Sequence, residues 1–496
     1  MIGLFPFGSE VIPSLSHEPT IMKFGGTSVE DARAFLRVSR IIAAHVRADD
    51  EEGEARPVIV VVSAMSRMTD ALVASVQAAT SGDVEGARRG LEEHFARHHA
   101  VARDLLSASG RVAAEAVIES ARDEIAEGLR AVAAHKLPRL LLQDEIISYG
   151  ERLSATLLAH VLCESGLAAR YVDARRLILT NDEYGCAAPL FDETERSTRA
   201  GLEPLIERRE VAVLGGFIAA SATTARTTTL GRGGSDCTAA IIGAAMDARE
   251  IQIWTDVNGV LTADPQLVPR ARTVERLSYA EAAELAYFGA KVLHPKTIQP
   301  AIDQCIPVRI CNSRAPEETG TLVGAETETA PRTVKAIAHK RDVTVVQITA
   351  ARMLGAYGFL RALFEVFDRH RTVVDVVTTS EVSVSLTLDD ASALSSILRD
   401  LRDLGTVLVE PRRATICVVG EGLRDTPGVA ARVFNTISDI NVSLISLGAS
   451  SVNLTFVVDE ARLTEAVTRL HEAFFEERQF QNDNAKVSLA ASDTSL

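Results

Sequence analysis

Cysteine is scarce, basic residues are outnumbered, and no apolar run is long. The six cysteines of the 496-residue chain (Cys163, Cys186, Cys237, Cys305, Cys311 and Cys417) form no CxxC pair. That number and spacing exclude a disulfide framework and a structural zinc site. The formal net charge of −15 argues against nucleic acid or an anionic membrane as the main partner. It leaves room for a local basic site that takes an anionic substrate. The longest apolar runs, such as Val58 to Val62, have strand length and fall well short of the ~20 residues of a membrane helix. Residues 1–19 lack the basic and continuous apolar regions of a signal peptide. They read as a loose extension, and the compartment as the cytoplasm. His94, His98 and His99 have helical spacing but no carboxylate–histidine signature, so they read as a solvated helix face and not as a metal site. No GxxxxGK[ST] loop occurs, and in Gly231-Arg232-Gly233-Gly234-Ser235-Asp236 an aspartate takes the place of the last glycine of a dinucleotide fingerprint.

What is present is an alternating pattern on a scale that needs two or three domains. Thr20 to Phe24, Val58 to Val62, Val211 to Phe217, Ile251 to Thr255 and Val308 to Cys311 are apolar, strand-like runs separated by helical stretches. This predicts an α/β domain built as a three-layer open sheet, mostly parallel. The texture turns to Glu, Thr and Pro near Ala325 to Pro331, which marks a linker. Beyond it a shorter strand–helix–strand–strand–helix order occurs twice. The first copy opens at Val343 to Thr349 and includes a strand at Val373 to Thr378; the second opens at Thr415 to Val419. The repeat predicts paired α+β, ferredoxin-like domains.

Four segments carry candidate chemistry. In Lys23-Phe24-Gly25-Gly26-Thr27-Ser28-Val29 a strand ends at a lysine, and two glycines let backbone amides approach an anion. In the Gly231 to Asp236 segment, Arg232 suits a carboxylate held through two parallel hydrogen bonds. Trp254-Thr255-Asp256-Val257 is a strand with a polar tip, as nucleotide sites in open sheets require. Phe288-Gly289-Ala290-Lys291 carries one further cation. Read alone, each has a plain alternative: a tight turn, a capping acid or a surface lysine. Ser63 and Thr69 follow the buried Val58 to Val62 strand, and Glu151 opens a helix, where a negative charge is favourable in any case.

Taken in order, KFGGTSV, GRGGSD, WTDV, TADP and FGAKVLHP resemble the aspartate kinases of the amino-acid kinase superfamily, over nearly the whole chain. The resemblance implies transfer of the γ-phosphoryl group of ATP, with Mg²⁺, to the β-carboxylate of L-aspartate. It gives Lys23 and Asp236 the reaction centre. Arg232 would hold the substrate's α-carboxylate and Glu151 its α-ammonium, while Ser63, Thr69, Phe217 and Ser235 would enclose it. The nucleotide would lie against Gly25, Gly26, Thr255, Asp256 and Lys291. Mg²⁺ would be held mainly by the nucleotide, with no metal site of the protein's own. Where the family often shows an aromatic residue and an arginine, this chain has Leu261 and Gln266, so weaker ATP binding or a compensating residue is expected, not loss of activity.

The C-terminal repeats resemble ACT domains of the lysine-inhibited type. The division that follows is an extension (1–19), an amino-acid kinase domain (20–325), a junction (326–341), two ACT domains (342–412 and 413–480) and a tail (481–496). Met353, Gly358, Phe359, Leu360, Val374, Asp375, Ser380 and Glu381 are the implied effector residues, for lysine or, second, threonine. The acids Asp375 and Glu381 suit an effector's amines. A homodimer or homotetramer through the ACT sheets is expected, with no nucleic-acid or membrane partner. Kinases of glutamate, acetylglutamate or uridylate share the fold, and the Glu151 and Arg232 pair, which favours an amino acid with free α-groups, disfavours the last two. A catalytically dead amino-acid sensor is disfavoured by Lys23, Arg232, Asp236 and Asp256 occurring together.

Overall fold

The computed structural model describes residues 18–47, 57–289, 293, 295–325, 334–355 and 357–476. It divides into two compact units, one comprising the chain up to Asp256 with Lys296–Glu318, the other Val257–Pro295 with the chain from Thr319 onward. The expected kinase domain 20–325 is therefore shared between the two. Most of the extension, the tail from 481 and residues 326–333 of the junction lie outside the described residues.

Strands are numbered along the chain. The first unit holds β1 (Thr20–Phe24), β2 (Val58–Val62), β3 (Ala169–Val172), β4 (Leu179–Thr180), β5 (Val211–Gly215), β6 (Ile218–Ser221), β7 (Thr227–Thr229), β8 (Glu250–Thr255) and β10 (Val308–Asn312), with β9 (Arg276–Ser278) in the second unit. In the first unit β3-β5-β2-β1-β8-β10 lie side by side, and every registered pair among them is parallel. A small sheet, β4-β6-β7, stands apart. Strands β1, β2 and β5 are buried along their whole length, because helices cover both faces. Met22, Phe24, Val58, Val60 and Val62 pack into a core with Phe35, Met68, Leu72, Leu129 and Leu158 on one side. On the other side Gly243, in the helix Gly234–Ala245, lies against Ile21 and Ile251. The strand period of two sends alternate residues to two helical layers, as the run of β-branched residues predicts.

All the strand ends that matter fall on one edge. Parallel register places Phe24 beside Val62 and Trp254, and Val62 beside Gly215. The chain leaves these strands at Gly25, Ser63, Gly216 and Asp256. A parallel sheet gathers its functional loops at that carboxyl edge.

In the second unit β9 pairs in parallel with β11 (Thr321–Gly324). The rest is an antiparallel sheet of β12 (Ala336–Thr349), β13 (Val377–Thr379), β14 (Ser383–Leu388), β15 (Thr406–Val419), β16 (Val442–Leu447) and β17 (Asn453–Asp459), in the order β13-β14-β12-β15-β17-β16. Helices Phe359–Arg369, Leu394–Leu401, Val429–Thr436 and Leu463–His471 complete two strand–helix–strand–strand–helix copies. Two details differ from the sequence reading. Strands β12 and β15 begin earlier than expected, so residues 336–341 are strand, and the boundary at 412 and 413 cuts through β15. The polar stretch Lys340-Arg341-Asp342 reads as a break but is a bulge between Lys340 and Val343, with Asp342 at φ 54°. The expected strand from Val373 contracts to Val377–Thr379, because the Val376 amide donates to the Thr387 side chain instead of a ladder carbonyl.

Candidate active site

Lys23 is the fourth residue of β1, and its side chain is buried at the sheet edge. Its Nζ lies 2.6 Å from Asp236 Oδ1. Asp236 stands in the first turn of the helix Gly234–Ala245, where the helix dipole favours a carboxylate. The two glycines after β1 allow close packing of loops. A Cβ on Gly26 would stand 2.8 Å from the Ala64 carbonyl oxygen. The Gly25 amide donates to Trp254 O at 3.1 Å and the Ser63 amide to Phe24 O at 3.0 Å, so the three loops are tied together by backbone.

Glu151 differs from its sequence reading in one respect that matters. It does stand in the first turn of the helix Tyr149–Glu164, but it is not a solvated N-terminal charge, being 3% exposed. Burial pushes its pKa up to about 8, against smaller opposing contributions from backbone donors at Glu151 and Ala64. Its Oε2 has no hydrogen-bond partner among the described residues. A buried acid with an open oxygen has the chemistry to take an ammonium group.

Phe217 follows β5 with φ 67°, and its amide donates to Thr238 Oγ1 at 2.9 Å. Arg232 is exposed, whereas Ser235 and Asp236 are half-buried.

These pieces surround one cavity of about 600 Å³. Lys23, Gly25 and Gly26 line it from β1, and Ser63 and Thr69 from the segment after β2. Glu151, Phe217, Arg232, Ser235 and Asp236 close it, with Thr255 and Asp256 at the end of β8. Lys291 lies outside the described residues. Leu261 and Gln266 are not among the lining residues. The sequence reading missed Arg67 and Asp70, which line the cavity too. No pattern in the sequence singles out an arginine two residues before Thr69. A further correction concerns His98. It is fully buried, not solvated, with Nδ1 2.7 Å from the His94 carbonyl oxygen, and burial lowers its pKa to about 4.

The implied effector residues lie in the first ACT copy. Met353, Val374 and Phe359 pack with its apolar core, Leu360 is 42% exposed, and Gly358 caps the helix Phe359–Arg369 at φ 81°. Asp375 is turned inward, 3.8 Å from Lys340 Nζ, and Lys340 also bonds Asp389. Burial, then the Asp389 carboxylate, raises the Asp375 pKa to about 8. Ser380 Oγ is 2.8 Å from Ser383 Oγ, and Glu381 is exposed on the turn that precedes β14.

Comparison with known proteins bears on this geometry. Residues 18–312 match the model of the amino acid kinase family, and residues 416–474 match an ACT domain. The chain is 36% identical over 470 residues to the lysine-sensitive aspartokinase 3 of Escherichia coli, covering 92% of this chain and 100% of that protein. This chain belongs to the aspartokinases. Aspartokinase 2, chloroplastic, of Arabidopsis thaliana is also 36% identical, over 92% of this chain and 84% of its own. Among solved aspartokinases, E. coli aspartokinase III in complex with aspartate and ADP (R-state) superposes with a TM-score of 0.75 at 35% identity, covering 92% of this chain and 100% of the other. The same enzyme in complex with lysine and aspartate (T-state) gives 0.76 at 35% identity with the same coverage. Like the aspartokinases it matches, the chain joins an amino-acid kinase fold to an ACT region. Among its described residues no helix is long and apolar enough to cross a membrane.

Proposed function

We propose that the protein transfers the γ-phosphoryl group of ATP to the β-carboxylate of L-aspartate, giving 4-phospho-L-aspartate and ADP. The observation that carries this reading is the buried, open carboxylate of Glu151 in the same cavity as Arg232 and the Lys23–Asp236 pair. Glu151 takes the α-ammonium and Arg232 the α-carboxylate, so the side chain of the amino acid is what remains to react. Ser63, Thr69, Phe217 and Ser235 enclose it. The E. coli relative solved with aspartate and ADP supports the same pair of ligands here.

Phosphoryl transfer requires little covalent help from the protein and much positioning and charge compensation. A β-carboxylate of ordinary pKa, about 3.9, is ionised at neutral pH and needs no general base. Lys23 places its ammonium where the transferring group gathers negative charge. Asp236 fixes the direction of that ammonium. The nucleotide lies along Gly25, Gly26, Thr255 and Asp256, with Lys291 as a further phosphate contact. Mg²⁺ would be carried mainly by ATP and would supply charge neutralisation of its phosphates. Asp236 and Asp256, on the cavity wall, would be the residues to hold its water shell, in keeping with a hard ion that retains several waters.

Lysine acts as feedback inhibitor through the first ACT copy, with Asp375 and Glu381 facing its amines and Met353, Gly358, Phe359, Leu360, Val374 and Ser380 around them. Threonine is the second candidate. The E. coli relative solved with lysine supports this choice. Exposed apolar side chains on this unit, Tyr357, Val373, Leu408, Ile445 and Leu447 among them, support a homodimer through the ACT sheet. Six unpaired cysteines accord with a reducing compartment such as the cytoplasm.

The test is ADP release coupled to a reporter, with Mg-ATP and L-aspartate, with and without lysine. Aspartate-dependent release that lysine suppresses is the expected result. Release that ignores aspartate, from folded protein, would overturn the assignment.

A further inference from the structure

Arg67 stands in a conformation that an arginine rarely adopts. It caps the helix Met68–Thr80 at φ 67° and ψ −2°, in the left-handed region where every side chain except glycine's is strained. A cation at a helix N-terminus also opposes the helix dipole. Both features count against arginine as a choice made for stability. Among the described residues ten non-glycine positions have positive φ, and two of them, Arg67 and Phe217, line the reaction cavity.

The conformation is enforced from several sides. The Ser66 amide donates to Gly26 O at 3.2 Å and the Met68 amide to Met65 O at 2.9 Å. Arg97 Nη2 donates to the Ser66 carbonyl at 2.7 Å, gripping the peptide just before Arg67. Arg67 also lines a second cavity of about 680 Å³, with Glu30, Asp31, Asp70, Glu93, His94 and Arg97.

Charge in the reaction cavity gives Arg67 a task. Its lining cations among the described residues are Lys23, Arg67 and Arg232, against four acids, Asp70, Glu151, Asp236 and Asp256. Lys23 is paired with Asp236, and Arg232 is committed to the α-carboxylate. The reaction nonetheless brings a second carboxylate to meet a polyphosphate. On the reading under Proposed function, we propose that Arg67 is a substrate-binding residue that holds the side-chain carboxylate of the acceptor through its guanidinium. Strain kept at a functional site, where the surrounding structure over-determines it, is the expected signature. A planar fork also fixes how far that carboxylate stands from the α-carbon, so Arg67 contributes to the choice of acceptor length.

The experiment compares the full-length protein with Arg67→Gly and Arg67→Lys, measuring Tm, kcat and KM for each substrate. Glycine is the residue best suited to this backbone, so Arg67→Gly keeps or raises Tm. It should nevertheless raise KM for aspartate about tenfold or more with a much smaller change in KM for ATP. Arg67→Lys keeps the charge and the strain and recovers part of the loss. Unchanged KM for aspartate in a folded Arg67→Gly protein would overturn the proposal. Wild-type protein with no aspartate-dependent turnover would instead indict the functional assignment, since that control precedes any comparison.

Discussion

Lys23 Nζ and Asp236 Oδ1 are 2.6 Å apart although 213 residues separate them in sequence (236 − 23 = 213). The pair joins the end of a central strand to the head of the helix Gly234–Ala245, with Lys23 buried and Asp236 half-buried. In such surroundings a fixed charge acts far more strongly on a developing one than it would in bulk solvent.

Removal of the ammonium in Lys23→Ala should therefore lower kcat by ~10²-fold or more, with Tm little changed. Asp236→Asn should lower kcat too, by a smaller factor, since the lysine remains but loses its orientation. Steady-state rates with both substrates saturating check this. Near-normal turnover of Lys23→Ala would remove it from the reaction centre.

Glu151 gives a pH signature. Free protein carries it protonated at neutral pH, with pKa raised by burial to about 8, whereas pairing with an ammonium requires the carboxylate. Aspartate binding at pH 7 should thus expel close to one proton, and affinity should improve as pH rises toward 8. Calorimetry in buffers of different ionisation enthalpy reads that proton directly. Stability moves the other way. An acid whose folded pKa lies above its unfolded value stabilises the fold below the unfolded pKa and loses that contribution as pH rises through the folded one. Glu151→Gln should consequently raise Tm at pH 8 relative to wild type while weakening aspartate binding.

The same sign applies to Asp375, whose pKa is raised to about 8 by burial and then by Asp389. Wild-type Tm should fall between pH 6 and pH 9 more steeply than that of Asp375→Asn. If Asp375 holds an effector amine, the same variant should lose lysine inhibition. Inhibition curves with and without the substitution separate the two effects.

Lys335 and Glu281 form a buried pair at 2.8 Å, with side chains 7% and 0% exposed. Glu281 also closes a capping box with Ser278 at the head of the helix Tyr279–Tyr287. Breaking the pair in Lys335→Met leaves an uncompensated buried acid and should cost roughly 3–5 kcal/mol in denaturant titration. The double variant with Glu281→Gln should recover part of it.

Much of this was legible before any coordinates. Glycine pairs after a strand are common as plain tight turns, so the segments around Lys23 and Arg232 point to a site only through their order with the other motifs. The buried strand Val58–Val62 announced the three layers through its unbroken β-branched run. Burial of a single polar side chain was not legible. Glu151 and His98 look like surface residues because the groups that cover them come from distant segments. Arg67 was invisible for a different reason: positive φ is a property of the fold around it, and arginine carries no sign of it. Strands β12 and β15 were read short, because their polar middles, Lys340 to Asp342 and Glu410 to Arg413, interrupt the apolar pattern without interrupting the sheet.

The central claim is that the acceptor is a carboxylate of aspartate, and the resulting acyl phosphate, unlike a phosphate ester of a hydroxyl side chain, reacts readily with hydroxylamine. The most direct measurement is trapping with hydroxylamine in the presence of Mg-ATP and L-aspartate. Aspartyl hydroxamate forming in step with ADP, and falling ~10²-fold in Lys23→Ala, is the predicted result. ADP released with aspartate present but no hydroxamate formed would contradict the account.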